Sequence, residues 1–135
     1  MGNKLGMSFN PSKCNIMHVS MKKNPWNHIY TLKDTELEPV NDVTYLGVTL
    51  SNNLSWHKHI AKIAAKGNKA LGFIRRNIQS ASVNTKAMAY QALVRPITEY
   101  ASLVWCPHQK EHIQELEMVQ RRAARFVTRQ YIQQN

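Results

Sequence analysis

The chain has 135 residues, with 18 lysines and arginines against 8 acidic residues and a hydrophobic share of 43%. This length supports one domain or two small subdomains, and the composition excludes collagen-like, low-complexity and largely disordered classes. No apolar run approaches the roughly 20 residues that span a bilayer, and no signal-peptide pattern is present. The sequence therefore predicts an intracellular protein with no membrane partner and leaves nuclear and cytoplasmic locations open. Two distant cysteines, Cys14 and Cys106, are predicted to be free buried thiols.

The net charge of +10 favours a polyanionic partner, because each phosphate that meets a lysine or arginine releases counterions. The charge is unevenly distributed, since residues 43–98 contain no acidic residue. The same window contains eight basic residues: Lys58, Lys62, Lys66, Lys69, Arg75, Arg76, Lys86 and Arg95. A segment without internal counter-charge predicts a surface that faces phosphates, and a basic face that is merely solvated is the alternative.

The first part of the chain has the short apolar patches of β-strands. The Asn-Pro-Ser break at 10–12 is typical of a turn, and polar residues at 33–36 separate two strand-forming runs, which predicts a hairpin. The predicted strands cover residues 15–20, 29–32, 37–40 and 43–50. Gly47 interrupts the last of them and predicts a bulge or a close approach of the backbone. These patterns together predict a small antiparallel β meander or hairpin.

After Leu50 the apolar period changes from two to 3.6 residues, which predicts a helix with Ser55 as its N-cap. Six apolar residues share an arc of roughly 80° on this helix: Trp56, Ile60, Ile63, Leu71, Ile74 and Ile78. Four basic residues gather on the opposite side: Lys58, Lys62, Lys69 and Arg76. One face is therefore predicted to pack and the other to form a basic ridge. Gly67 and Gly72 predict close packing or a local bend.

A second helical stretch is predicted over residues 83–105, where Pro96 must kink or split the helix because proline removes a backbone donor. A third is predicted over about residues 109–131, with acids early and arginines late, which complements the helix dipole and pairs Glu117 with Arg121. One stripe of this helix carries three candidate phosphate contacts: Arg121, Arg125 and Arg129. Dipole complementation explains these arginines equally well, so both interpretations stay open. The predicted fold is α+β, a β part over residues 1–50 followed by a three-helix bundle over 51–135.

The sequence shows no pattern of catalytic or metal-binding residues. Asp34 and Asp42 have no histidine or acid at a metal-ligand spacing, and we expect them to be turn residues. His57 and His59 point about 200° apart on a helix, so they cannot hold one metal ion. No metal or other cofactor is therefore predicted for this chain. Five aromatic residues lie among the basic ones and are predicted to be core residues, not stacking platforms: Trp56, Phe73, Tyr90, Tyr100 and Trp105.

Five segments of the sequence, taken in order, resemble one protein family. They are GMSFNPSKC at 6–14, YLGV at 45–48, LSWHKHI at 54–60, PITEYASLVW at 96–105 and QRRAARF at 120–126. Their combination is similar to the end of the palm and the thumb of a reverse transcriptase, an RNA-directed DNA polymerase, from a non-LTR (LINE-type, jockey-like) retrotransposon. The resemblance covers nearly the whole chain. It implies that residues 1–50 are the end of a palm and that residues 51–135 are a helical thumb.

The resemblance also implies roles for individual residues. Lys13 resembles the lysine of polymerase motif D, which lies near the phosphates of the incoming nucleotide and acts as a general acid in the parent enzyme. Tyr45, Leu46 and Gly47 resemble the primer-grip hairpin of motif E, whose tight backbone turn holds the primer end. The helices resemble the thumb, which closes on the minor groove and backbone of a template–primer duplex. The implied partner is nucleic acid, RNA, DNA or their duplex, bound independently of sequence.

One feature of the family is missing from this chain. The metal-binding aspartates of the family lie upstream of the segment that the chain resembles, and the chain contains no Asp-Asp pair. Phosphoryl transfer needs those metals to stabilise the attacking and leaving oxygens. We therefore expect the chain not to be an enzyme on its own, Mg²⁺ to act only in the parent polymerase, and the upstream palm and fingers to be its missing partner. Met1 predicts a truncated reading frame or the gene model of a degraded element.

Two alternative functions stay open on the sequence alone. The first is a stand-alone basic helical module that reads DNA in the major groove, which needs short polar, Arg and Asn side chains at the start of a helix. The third predicted helix begins with acids, and this disfavours such a module. The second alternative is a non-functional pseudogene product.

Overall fold

The computed structural model describes residues 6–23 and 28–128 of the chain. Contacts divide the chain into two compact units, with the boundary between Ser55 and Trp56. Within the described residues, the first unit contains six short strands and the second contains five helices. The α+β class is therefore confirmed.

The strands of the first unit are short and pair only two at a time. After a turn of 3₁₀-helix at Pro11–Lys13, they are β1 (Asn15–Ile16), β2 (Thr31–Leu32), β3 (Thr35–Glu36), β4 (Glu38–Pro39), β5 (Asp42–Tyr45) and β6 (Val48–Ser51). β1 pairs with β4 in parallel, whereas β2–β3 and β5–β6 are antiparallel hairpins. The predicted hairpin is confirmed, whereas a continuous meander is not, because the described strands form three separate ladders. Pro39 contributes to this outcome, since it has no N–H to donate to a second neighbour of β4.

The hairpin β5–β6 turns within two residues. Leu46 has a φ of 49° and Gly47 a φ of 82°, and Tyr45 pairs with Val48 on either side of them. Positive φ at both central residues is characteristic of a type I′ turn, whose twist matches that of antiparallel strands. The predicted strand over residues 43–50 is therefore two strands, and Gly47 is a turn residue, not a bulge.

The regular secondary structure described in the second unit is all helical. Its helices are α1 (His57–Asn77), α2 (Val83–Leu93), α3 (Arg95–Glu99), α4 (Ser102–Trp105) and α5 (Lys110–Thr128). Pro96 lies in the first turn of α3, where its missing N–H breaks no helical hydrogen bond, so the predicted split at this proline is confirmed. Ala101, with a φ of 53°, separates α3 from α4. Instead of the predicted three-helix bundle there are five described helices, and none of these is long and apolar enough to cross a membrane.

The N-terminus of α1 lies one residue later than the sequence indicates. The cap position is Trp56, which makes no side-chain capping hydrogen bond. Ser55, the predicted N-cap, instead donates its backbone N–H to Asn53 Oδ1 at 3.0 Å. This bond fixes the backbone of Ser55 in a turn that directly precedes the helix.

The helical unit has one continuous apolar core. Its central cluster consists of seven buried residues: Ala64, Leu71, Ile74, Val94, Val119, Ala123 and Phe126. Ile60 and Ile63 are buried as predicted from the arc of α1. In α4, Trp105 is only 2% exposed, whereas the preceding Val104 is 60% exposed. A four-residue helix after a left-handed residue does not continue the phase of the helices before it.

Two residues lie in environments opposite to those expected. Lys86, from the acid-free window, is buried, and its Nζ lies 5.0 Å from the centroid of the Phe126 ring. It therefore does not belong to an exposed phosphate-facing surface. Both cysteines are free, but Cys14 is half-buried and Cys106 is exposed. The predicted burial of Cys106 is wrong because the chain leaves α4 at Trp105, one residue before it.

Gly67 lies at a close contact between α1 and its neighbours. A Cβ at this position would lie 3.0 Å from Thr98 Cγ2 and 3.3 Å from Val119 Cγ1. A Cβ at Gly72, in the same helix, would meet only the flexible end of Arg76, at 3.4 Å. The predicted close packing is confirmed at Gly67 and not at Gly72.

We expect Gly67→Val to lower the free energy of unfolding of the helical unit by about 1–3 kcal/mol, because its methyl groups overpack the contact with Thr98 and Val119. Gly72→Ala is the matched control, and it is expected to stabilise by about 0.5–1 kcal/mol because alanine has the higher helix propensity and open space. Urea denaturation followed by circular dichroism measures both effects. Equal stabilities of the two variants would show that Gly67 is not a packing contact.

Candidate nucleic-acid interface

The positive charge is concentrated in the helical unit. Residues 56–135 contain 13 of the 18 lysines and arginines but only 4 of the 8 acidic residues. Nine of the ten net positive charges therefore belong to this part of the chain. An excess of this size on a small helical unit favours association with a polyanion.

The outer side of α1 carries a row of cations. The four residues predicted for the ridge are all exposed: Lys58, Lys62, Lys69 and Arg76. They lie opposite the buried Ile60 and Ile74, so they can meet a ligand without any change in the core. At a rise of 1.5 Å per residue the row is about 27 Å long. We call these four residues the α1 basic row.

The arginines of α5 differ from one another in their contacts. The predicted pair is confirmed, because Arg121 Nη2 lies 3.0 Å from Glu117 Oε2. Arg122 Nη1 donates to Asn68 Oδ1 at 3.0 Å, which connects α5 to the middle of α1. Arg125 is exposed, whereas Arg129 lies outside the described residues. Periodicity within α5 did not single out Arg122, because its partner lies on another helix.

The first unit holds the remaining candidate residues. Lys13 is exposed at the end of the 3₁₀ turn, and the turn residues Tyr45, Leu46 and Gly47 are all exposed at the tip of β5–β6. Asp34 lies in the β2–β3 turn with a φ of 61°, as predicted for a turn residue.

Asp42 differs from its prediction, since it is half-buried and begins β5. Asp42 pairs with Ser51 of β6 in the strand ladder. The residues next to Asp42 in the sequence do not indicate this pairing. In the part of the chain that the structure describes, no three His, Cys, Asp or Glu side chains are grouped closely enough to hold a metal ion.

The aromatic residues divide into core and surface. Trp105 is buried as predicted, and its Nε1–H donates to the backbone carbonyl of Tyr100 at 2.8 Å. Phe73 and Tyr100 are each 56% exposed, so the prediction that they are core residues is wrong. Phe73 follows Lys69 by four residues and therefore lies on the basic side of α1, away from the packed arc. This spacing is visible in the sequence and is the signal that indicates its exposure.

His59 is one of two buried histidines among the described residues of the helical unit, and His112 is the other. Its ring lies 6.2 Å from that of Trp56 and 5.3 Å from that of Trp105, centroid to centroid. Burial lowers the pKa of His59, and the positive charges of Lys62 and Lys66 lower it further. His59 is therefore held neutral in the folded unit at neutral pH.

This pKa predicts how stability depends on pH. Because the pKa of His59 is lower in the folded than in the unfolded chain, the unfolded chain binds the proton more readily, and the free energy of unfolding should fall as the pH decreases below about 6.5. His59→Phe keeps an aromatic ring and removes the titration, so it should flatten this dependence. His108→Gln, at an exposed histidine, is the control. Urea denaturation at about pH 7.5 and about pH 5 compares the variants. An unchanged slope in His59→Phe would exclude His59 as the source.

Rows of exposed lysine and arginine on a helix face are typical of nucleic-acid-binding proteins. The chain is 22% identical over 125 residues to a protein of Drosophila melanogaster named probable RNA-directed DNA polymerase from transposon X-element. The similar region covers 90% of this chain and 14% of that polymerase, so the chain spans a small part of the length of this relative. No protein-family model and no solved structure matches the chain. The resemblance to a retrotransposon reverse transcriptase is confirmed by this similarity.

Proposed function

We propose that the chain is a fragment of a non-LTR retrotransposon reverse transcriptase, with the end of the palm in residues 1–50 and the thumb in residues 51–135. In this proposal the thumb holds the phosphate backbone of a template–primer duplex. The observation that carries it is the α1 basic row, four exposed cations on one helix face opposite the core. The similarity to an RNA-directed DNA polymerase supports nucleic acid as the polyanion.

The chemistry of the α1 basic row favours binding without sequence preference. Lysine and arginine neutralise phosphates and release condensed counterions, which supplies affinity to any duplex. Contacts to phosphate position a protein on the duplex but carry no base information. A row of about 27 Å corresponds to roughly eight nucleotides along one strand, at about 3.4 Å per nucleotide. Arg125 adds an exposed cation on α5, the helix that Arg122 joins to α1 at Asn68.

The first unit is proposed to act only within the parent polymerase. The exposed turn at Tyr45, Leu46 and Gly47 presents backbone groups to the primer end, because its left-handed residues turn the chain within two positions. Lys13 is the general acid toward the departing pyrophosphate in that parent. Both roles require the palm and fingers that bind the metal ions and the nucleotide.

The chain alone is proposed not to transfer nucleotides, since it has no Asp-Asp pair to hold two metal ions. A primer–template supplied with Mg²⁺ and nucleotides should not be extended above background when the chain is added. Extension that is lost in Asp34→Asn or Asp42→Asn would contradict the proposal that this is a fragment without its catalytic site.

Binding is tested by fluorescence anisotropy with blunt RNA–DNA hybrid duplexes of two unrelated sequences. We expect similar Kd values for both sequences and a steep loss of affinity with added salt, because the contacts are to phosphates. A strong preference for one sequence would support the alternative of a module that reads the major groove. Absence of binding at low salt would overturn the proposed function.

A further inference from the structure

An open apolar groove lies beside the α1 basic row, within the helical unit. It has a volume of about 420 Å³ and runs between α1 and the break that separates α2 from α3. Six residues line it: Lys66, Lys69, Ala70, Phe73, Leu93 and Ile97. Its volume is within the range of pockets that bind small molecules.

Four apolar side chains and two lysines line the groove. Phe73 and Leu93 are both exposed although they are large hydrophobic residues. Lys66 and Lys69 stand on the same side of α1, since they precede Phe73 by seven and four residues. Among the described residues, no acidic side chain lines the groove. The occupant that matches this lining has a flat apolar face and carries negative charge next to it.

Phe73 lies in line with the basic residues along α1. The spacing from Lys62 through Lys66, Lys69 and Phe73 to Arg76 is four, three, four and three residues, which is one continuous helix stripe. An aromatic ring is therefore placed among cations that are proposed to contact phosphates. Aromatic side chains in a positively charged groove are how proteins without sequence preference bind single strands, because every base has a face that stacks.

We propose that this groove binds an unpaired nucleobase of a single-stranded segment, with the base stacked on Phe73 and the flanking phosphates on Lys66 and Lys69. The inference rests on the proposed function and extends it, since a duplex offers phosphates to the α1 basic row but keeps its bases paired and stacked. The ligand class is single-stranded RNA or DNA that adjoins a duplex. Sequence preference is not expected, because the groove contacts the face of the base.

The test compares two probes, a blunt RNA–DNA hybrid and the same hybrid with a single-stranded overhang. Loss of base–aromatic stacking weakens binding by roughly tenfold. We therefore expect the overhang to strengthen binding about tenfold more in the wild type and in Phe73→Trp than in Phe73→Leu, which keeps only the phosphate contacts of Lys66 and Lys69. The blunt hybrid should bind Phe73→Leu and the wild type equally. Tyr100→Leu is the matched control, because Tyr100 is also 56% exposed, and it should keep the overhang effect.

A second readout identifies stacking directly. A 2-aminopurine base in the overhang should lose fluorescence on binding the wild type and not on binding Phe73→Leu, while circular dichroism shows that both proteins are helical. If the overhang adds no affinity while the blunt hybrid still binds, this inference is wrong and the proposed function stands. If neither probe binds, the proposed function fails as well. Sedimentation of the free protein tests a second copy as the occupant, and a dimer that is lost in Phe73→Leu would overturn the nucleobase assignment.

Discussion

Trp105→Ala is expected to lower the free energy of unfolding of the helical unit by about 3–5 kcal/mol, which is the usual loss for a large aromatic residue removed from a core. Trp105 is only 2% exposed, and its ring lies 5.3 Å from that of His59. The substitution removes this packing and leaves the Tyr100 carbonyl without the indole N–H that lies 2.8 Å from it. Domains have a total stability of about 5–15 kcal/mol, so this loss is a large fraction of the total.

Leu103→Ala is the matched control for this prediction. Leu103 lies in the same helix, α4, and is 97% exposed, so its removal should change stability by less than about 0.5 kcal/mol. Trp105→Phe keeps an aromatic ring but cannot donate to Tyr100, and an intermediate loss of about 1–3 kcal/mol is expected. Urea denaturation followed by circular dichroism gives all three values. Similar stabilities for Trp105→Ala and Leu103→Ala would mean that α4 does not pack through Trp105.

Replacement of the whole α1 basic row by alanine should change the salt dependence of duplex binding more than any other substitution. The slope of log affinity against log salt falls by about one for each phosphate that the protein no longer neutralises. If each of the four cations neutralises one phosphate, raising salt from about 50 to about 200 mM should weaken the wild type about 100-fold more than the variant. Anisotropy titrations with a blunt hybrid at several salt concentrations measure this difference. The core should be unaffected, because the four side chains lie on the exposed side of α1.

A charge-matched comparison separates a site from a general effect of net charge. Lys62→Ala with Lys69→Ala removes two cations from the α1 basic row, whereas Lys22→Ala with Lys23→Ala removes two exposed cations of the first unit. Only the first pair should reduce the salt slope, by about two. Equal reductions of the salt slope by the two pairs would mean that the α1 basic row is only a solvated face. The exposed Arg125 would then be the next candidate to replace.

Helical periodicity and local chemistry are enough to predict much of the helical unit. The buried arc of α1, the exposed basic row opposite it and the pairing of Glu117 with Arg121 all depend on residues three or four positions apart in one helix. The split at Pro96 depends on a missing backbone donor, which is a property of that residue alone. The resemblance to a reverse transcriptase could also be read from the sequence. Each of the five segments that carry it is a short run of neighbouring residues.

Features that join distant positions in the chain could not be predicted in this way. The parallel pairing of β1 with β4, the contact of Arg122 with Asn68 and the packing of Gly67 against Thr98 each need a partner that no local period specifies. The groove beside Phe73 exists because α2 ends where α3 begins and leaves Leu93 and Ile97 facing α1 across an opening. Periodicity reports the face on which a residue lies, whereas burial depends on whether another element covers that face.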